Sequence, residues 1–118
     1  MVNTQRIGQR AENIACQYLE QQGLALVGRN YRTRRGEIDL IMRTADSLVF
    51  VEVRFRRRTD FGSPAETVGV AKQRRLIACA EAFLQRHRLS TAARFDVICI
   101  EQYGGDIRID WIPDAFRV

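Results

Sequence analysis

The chain is predicted to fold as an α/β domain: a mixed β-sheet of about five strands flanked by helices, in the order αβββαββ. Three observations carry this expectation. Apolar residues recur at helical spacing in two long segments, alternate with period two in two adjoining short ones, and run almost unbroken through residues 95–100. A length of 118 residues suits a single domain with a substantial core. With 46% hydrophobic and 28% charged residues, the chain does not have the composition of a disordered one.

Residues 4–22 read as an amphipathic helix, because Ile7, Ala11, Ile14, Ala15, Tyr18 and Leu19 fall on one stripe; Gly23 is its stop. Residues 24–32 read as a strand, and Arg35-Gly36 as a turn into the next. Residues 36–41 and 49–54 form a hairpin about the polar turn Thr44-Ala45-Asp46-Ser47. Ser63-Pro64-Ala65-Glu66 is a capping box with proline at the first helical position, so a helix is expected to begin there, with an interruption at Gly69. Its strongly periodic part is 70–88, with Leu76, Ile77, Ala80, Phe83 and Leu84 inward. Residues 95–100, apolar on both faces apart from Asp96, read as a central strand. Gly104-Gly105 turns it into an edge strand over 107–112. The long helix between the strands at 49–55 and 95–100 permits a right-handed parallel crossover.

The hairpin holds the chemistry. A turn symmetric about Ala45 and Asp46 sets Asp39 opposite Glu52 and Glu37 opposite Arg54. Ile38, Leu40 and Met42 then share a face with Val49, Val51, Val53 and Phe55, while Glu37, Asp39 and Ile41 share the other with Phe50, Glu52 and Arg54. Like charges facing each other across a strand pair repel, so Asp39 and Glu52 need a proton or a cation between them. Hard carboxylates on a partly apolar face suit Mg²⁺ or Mn²⁺, which retain waters and leave room for a phosphate. The competing reading is a hairpin with one solvated, charged face.

Net charge is +5, and Lys72 is the single lysine among nineteen basic residues. Arginine recognises phosphate through a planar, bidentate fork, which makes nucleic acid the favoured partner. Compositional drift toward arginine is the alternative explanation. Cys16, Cys79 and Cys99 lie apart in apolar runs with neither zinc nor disulfide spacing, as expected of buried thiols in a reducing cytoplasm. No apolar stretch approaches the ~18 residues of a membrane span, and no signal region opens the chain, so a cytoplasmic protein is expected. His87, among arginines near a helix end, is expected at the surface.

These residues together resemble a known family. Gly8, Ala11-Glu12, Tyr18-Leu19, Gly23, Asn30-Tyr31-Arg32, Gly36-Glu37-Ile38-Asp39-Leu40-Ile41, Phe50-Val51-Glu52-Val53-Arg54, Phe61-Gly62, Lys72-Gln73-Arg74, Arg94-Phe95-Asp96-Val97 and Ala115-Phe116 are similar to the bacterial UPF0102, or YraN, family over nearly the whole chain. Within them, Asp39 followed thirteen residues later by Glu52-Val53-Arg54 resembles the PD-(D/E)XK nuclease motif of restriction endonucleases and Holliday junction resolvases. The resemblance implies a restriction-endonuclease-like fold with Asp39 and Glu52 as metal ligands. It also implies catalytic roles for Glu12 on the first helix and Gln73 on the second, and a homodimer as in resolvases. The motif's lysine is Arg54 here. Arginine cannot act as a base, though it can stabilise a pentacovalent phosphate electrostatically; Lys72 is the alternative source of the missing amine.

The expected function is therefore a nucleic-acid-binding protein acting as a Mg²⁺- or Mn²⁺-dependent endonuclease on branched or damaged DNA. Arg32, Arg34, Arg35, Arg56, Arg57, Arg58 and Lys72 would contact phosphates. The alternatives are a non-catalytic binding module of the same fold and a protein-interaction adaptor whose carboxylates merely pair with arginines.

Overall fold

Period-two alternation along one strand decides the layering. The structure, a computed structural model, describes residues 4–57 and 68–117. Its elements are α1 (Thr4–Gln21), β1 (Ala25–Thr33), β2 (Gly36–Arg43), β3 (Ser47–Arg57), α2 (Val70–Arg86), β4 (Ala92–Tyr103) and β5 (Asp106–Arg117). In β3, Leu48 and Phe50 pack with Leu76, Cys79, Ala80 and Phe83 of α2, whereas Val49 and Val51 pack with Ala11, Ala15, Cys16 and Leu19 of α1. The two helices therefore cover opposite faces of one sheet, which keeps dry both sides of a strand that is apolar on both.

The sheet is mixed, in the order β1-β2-β3-β4-β5, with β3 and β4 parallel and the other neighbours antiparallel. The crossover through α2 makes that parallel pair. The αβββαββ order is the expected one, and the hairpin register is as the turn dictates: Leu40 pairs with Val51, Ile41 with Phe50 and Met42 with Val49. Thr44 builds that turn by accepting the amides of Asp46 at 3.2 Å and Ser47 at 3.0 Å on its Oγ1.

Helix α1 ends in a Schellman closure: Leu24 N–H donates to Leu19 O and Gly23 N–H to Glu20 O, each at 3.0 Å, with Gly23 at φ 98°. Helix α2 begins after an N-cap at Gly69. The capping box at residues 63–66, Phe61-Gly62 and Arg58 lie outside the described residues. Cys16, Cys79 and Cys99 are buried free thiols. His87 is exposed and rests on the Phe83 ring, centroids 4.4 Å apart. Among the described residues, no helix is long and apolar enough to cross a membrane.

Two local departures have physical causes. The last strand does not stop near residue 112 but continues as β5 to Arg117. The β4–β5 register shifts between Phe95 and Val97, and the carboxylate of Asp96 fills the gap by accepting the Asp114 amide at 2.9 Å. The second departure is in β2. Ile38 packs in the α2-side cluster although Leu40 and Met42 pack on the α1 side, so the expected sharing of a face by these three residues fails. The strand turns over at Asp39, and there the functional geometry begins.

Candidate functional site

The β2–β3 ladder runs from Arg43↔Leu48 to Leu40↔Val51 and stops. Beyond it the strands part, and Val53 N–H donates 2.8 Å to Oδ2 of Asp39 in place of a strand carbonyl. Asp39 is thus held by its backbone in β2 and by its side chain to β3. The Glu52 carboxyl hydrogen-bonds it from the neighbouring position on β3. Sequence symmetry had placed these two acids together, and the structure does so.

The electrostatics follow from burial. Asp39 is pushed up from the ordinary 3.8 to about 8, first by desolvation, then by the charge of Glu52, with the Glu52 hydrogen bond and the Glu12 charge adding to it. The Val53 amide works in the opposite direction. Near neutral pH the Asp39–Glu52 pair therefore holds a proton between two oxygens that would otherwise both be charged.

Glu12 reaches the same place from α1. One carboxylate oxygen each from Glu12, Glu37 and Asp39 lies within 4.8 Å of the other two. Asn30 organises the group: its Nδ2 donates to Glu12 at 3.1 and 3.2 Å and to Glu37 at 2.8 Å. Asn30 manages this from β1 because its backbone is left-handed, φ 51°, at the position between the Arg29↔Leu40 and Tyr31↔Ile38 pairs. Glu37 and Asn30 were missed as site residues. An asparagine inside a strand-like run was the available signal, since asparagine is depleted in strands and tolerant of the left-handed region.

Cations stand beside three of the acids. Arg29 lies 3.5 Å from Glu12, Arg32 binds Glu37 at 2.9 Å, and the ammonium of Lys72 sits directly on Glu52. Glu37, which the hairpin symmetry set opposite Arg54, is bonded by Arg32, its register partner across β1–β2. Arg54 lies on the Glu52 side, Nε to Oε2 4.0 Å. Gln73 donates its Nε2 to Val68 O at 2.7 Å, closing the entry to α2.

The acids separate two openings. On the α2 side a cavity of about 320 Å³ is lined by Glu52, Arg54, Arg56, Lys72, Cys99 and Glu101. On the α1 side one of about 200 Å³ is lined by Gly8, Gln9, Glu12, Asn30, Arg32 and Glu37. Arg34 and Arg35 are exposed in the β1–β2 turn, and Arg57 is exposed at the end of β3.

Chemically, three carboxylates within reach of one another, Glu12, Glu37 and Asp39, with Glu52 hydrogen-bonded to Asp39 and guanidinium groups alongside, can hold a divalent cation against an anionic substrate. Asp96, the most deeply buried of the described acids, has a different character. Arg94 bonds it at 3.0 and 3.2 Å, Trp111 Nε1 at 2.9 Å and the Asp114 amide at 2.9 Å, so its acceptors are occupied.

The model of UPF0102, described as an uncharacterised protein family, matches residues 11–100. A UPF0102 protein of Coxiella burnetii is 49% identical over 117 residues, spanning 98% of this chain and 95% of its own length. Another, from Nitrosococcus oceani, is 50% identical over 113 residues, with 94% and 91% covered. A third, from Chromohalobacter salexigens, is 48% identical over 114 residues, with 97% and 93% covered.

Proposed function

The chain belongs to the UPF0102 family, and on that premise we propose that it is a nucleic-acid-binding protein with a divalent-cation-dependent phosphodiesterase centre of the PD-(D/E)XK type on a restriction-endonuclease-like fold. The observation that carries this reading is the Asp39–Glu52 pair at the parted seam, sharing a proton where a cation fits, with Glu12 and Glu37 converging from the other side. A stabilising ion pair would look like Asp96, with every acceptor bonded. Asp39 instead keeps a carboxyl at a pKa of about 8, between Glu52, which lines one cavity, and Glu12, which lines another, a strained state typical of working sites.

Asp39, Glu52, Glu12 and Glu37 would hold Mg²⁺ or Mn²⁺, which supplies Lewis acidity toward water and phosphate. The chain's own groups do the rest. Asp39 gives up its proton when a cation takes that place. Arg54, permanently charged, faces developing negative charge on the phosphate from the Glu52 side. Lys72 lies on the Glu52 carboxylate and is the one lysine amine in the chain, so the proton-transfer role that Arg54 cannot fill falls to it. Arg56 and Arg57 flank the site for phosphate contact, and Arg34 and Arg35 extend that flank across the hairpin mouth.

Incubating the protein with labelled DNA in Mn²⁺ or in EDTA tests the reading. Cleavage is expected in Mn²⁺ alone, with Asp39→Ala lowering it at least about a hundredfold while DNA binding persists, since the proton-sharing pair and Glu52 alone carry the same net charge. Arg54→Lys is expected to retain activity and Arg54→Ala to lose it. The second reading, a binding module without hydrolysis, draws on the Lys72–Glu52 contact, since an ammonium already neutralising Glu52 can serve as a permanent substitute for a cation. Binding without cleavage of any DNA form by any variant selects that reading.

A further inference from the structure

Adjacent arginines on β3 face opposite ways. Successive side chains of a strand project to opposite faces, and Arg56 lines the cavity on the α2 side while Arg57 lines a separate notch on the α1 side. The two recesses differ in chemistry. That of Arg56 is polar, its three cations Arg54, Arg56 and Lys72 outnumbering the carboxylates of Glu52 and Glu101, and suits the phosphate backbone. That of Arg57 is small, about 60 Å³, and is lined by Ile7, Ala11, Phe55 and Ile107 together with Arg10 and Gln102. Apolar walls gain nothing from a phosphate, but they suit the face of a base whose own phosphate reaches Arg10 or Arg57. Ile107, substantially exposed at the start of β5, leaves that apolar surface open to solvent. A base inside a duplex is stacked and paired, so it cannot present its face to such a notch.

We propose that the end of the sheet acts as a divider between two diverging strands: one strand runs with its phosphates past Arg54, Arg56 and Lys72, and the other leaves an unpaired nucleotide on the notch formed by Arg57, Arg10 and Phe55. The ligand class is nucleic acid at a fork, where duplex meets unpaired arms. This rests on the nucleic-acid reading above and specifies its substrate.

Fluorescence anisotropy in EDTA, which prevents cleavage, compares a blunt duplex, a single strand and a fork with two unpaired arms. Expected is a Kd for the fork about tenfold or more below that for either other form, the gain from one additional stacked base. Arg57→Ala and Phe55→Ala should each narrow the gap between fork and duplex. Arg43→Ala removes an equal charge from an exposed position in the opposite half of the hairpin and should leave the gap unchanged; since both arginine positions are exposed, it also controls for loss of charge alone. A duplex bound as tightly as the fork overturns the divider, because the sheet end would then sit in the groove of an intact helix. Equal gaps in Arg57→Ala and Arg43→Ala overturn it too. If no nucleic acid binds in any form, the nucleic-acid reading itself fails and the divider with it.

Discussion

In EDTA, the protein should lose stability as pH rises from about 4 to about 8, and Asp39→Asn should remove most of that loss. Asp39 has its folded-state pKa raised from 3.8 to about 8. Between those values the native protein holds a proton that the unfolded chain has already released. Stability is therefore fully present below about pH 4 and drains away as pH climbs toward 8, because unfolding becomes the route by which the proton escapes. Each pKa unit corresponds to ~1.4 kcal/mol, so the total is on the order of a few kcal/mol. Urea titrations at pH 5, 6.5 and 8 at constant ionic strength measure it. Mn²⁺ at pH 8 should restore what the proton supplied at pH 5, by preferential binding to the folded state. Identical pH slopes for wild type and Asp39→Asn would show that the carboxyl at the seam is charged like any surface acid.

The second large effect lies away from the cavities. Asp96→Ala should cost about 3–5 kcal/mol, the range for breaking a buried ion pair, by stranding the half-buried Arg94 and removing the acceptor of Trp111 and of the Asp114 amide. For a domain of this size that is a fall in Tm of roughly 10–20 °C. At a temperature where the variant remains folded, Mn²⁺ should still raise its Tm as in wild type, since Asp96 touches none of the four clustered acids. A change under 1 kcal/mol would mean that the β4–β5 bulge is held by backbone alone. The two acids thus separate by outcome: one change alters stability as a function of pH and metal, the other alters it outright.

Much of this was legible in the chain. The hairpin register follows from Thr44 and Ser47 alone, because a polar turn between two apolar runs leaves one symmetric pairing, and that pairing brings Asp39 to Glu52. Helix α1 was readable from its stripe and Gly23. What escaped was set by neighbours that local pattern cannot see. Ile38 turns to the other face because the strands part at Asp39, a break in a ladder that period-two counting assumes continuous. Glu37 binds Arg32 because the β1–β2 register, displaced by a bulge near Val27, decides its partner. Gln73 attends to its own helix entry, a competition between side chain and backbone that a sequence match does not reveal. The carboxylate of Asp96, which looked like a lone charge in a central strand, is the filler of a bulge that carries β5 past Pro113.

The parallel join of β3 to β4 carries a consequence for how the chain reaches this state. The β1–β2–β3 meander and the β4–β5 hairpin each close over a few residues, so each can form early and locally. Their union cannot: each β3–β4 pair, from Ser47 with Ala92 to Arg57 with Gln102, joins residues roughly 45 apart. The rate of folding is therefore governed by the meeting of two preformed halves across α2, and weakening the β3–β4 seam at Phe50 or Phe95 should slow folding more than an equal loss at either outer strand. The acids belong to the first half and most of the phosphate-side cavity to the seam, so the candidate site becomes complete only when that slow step is over.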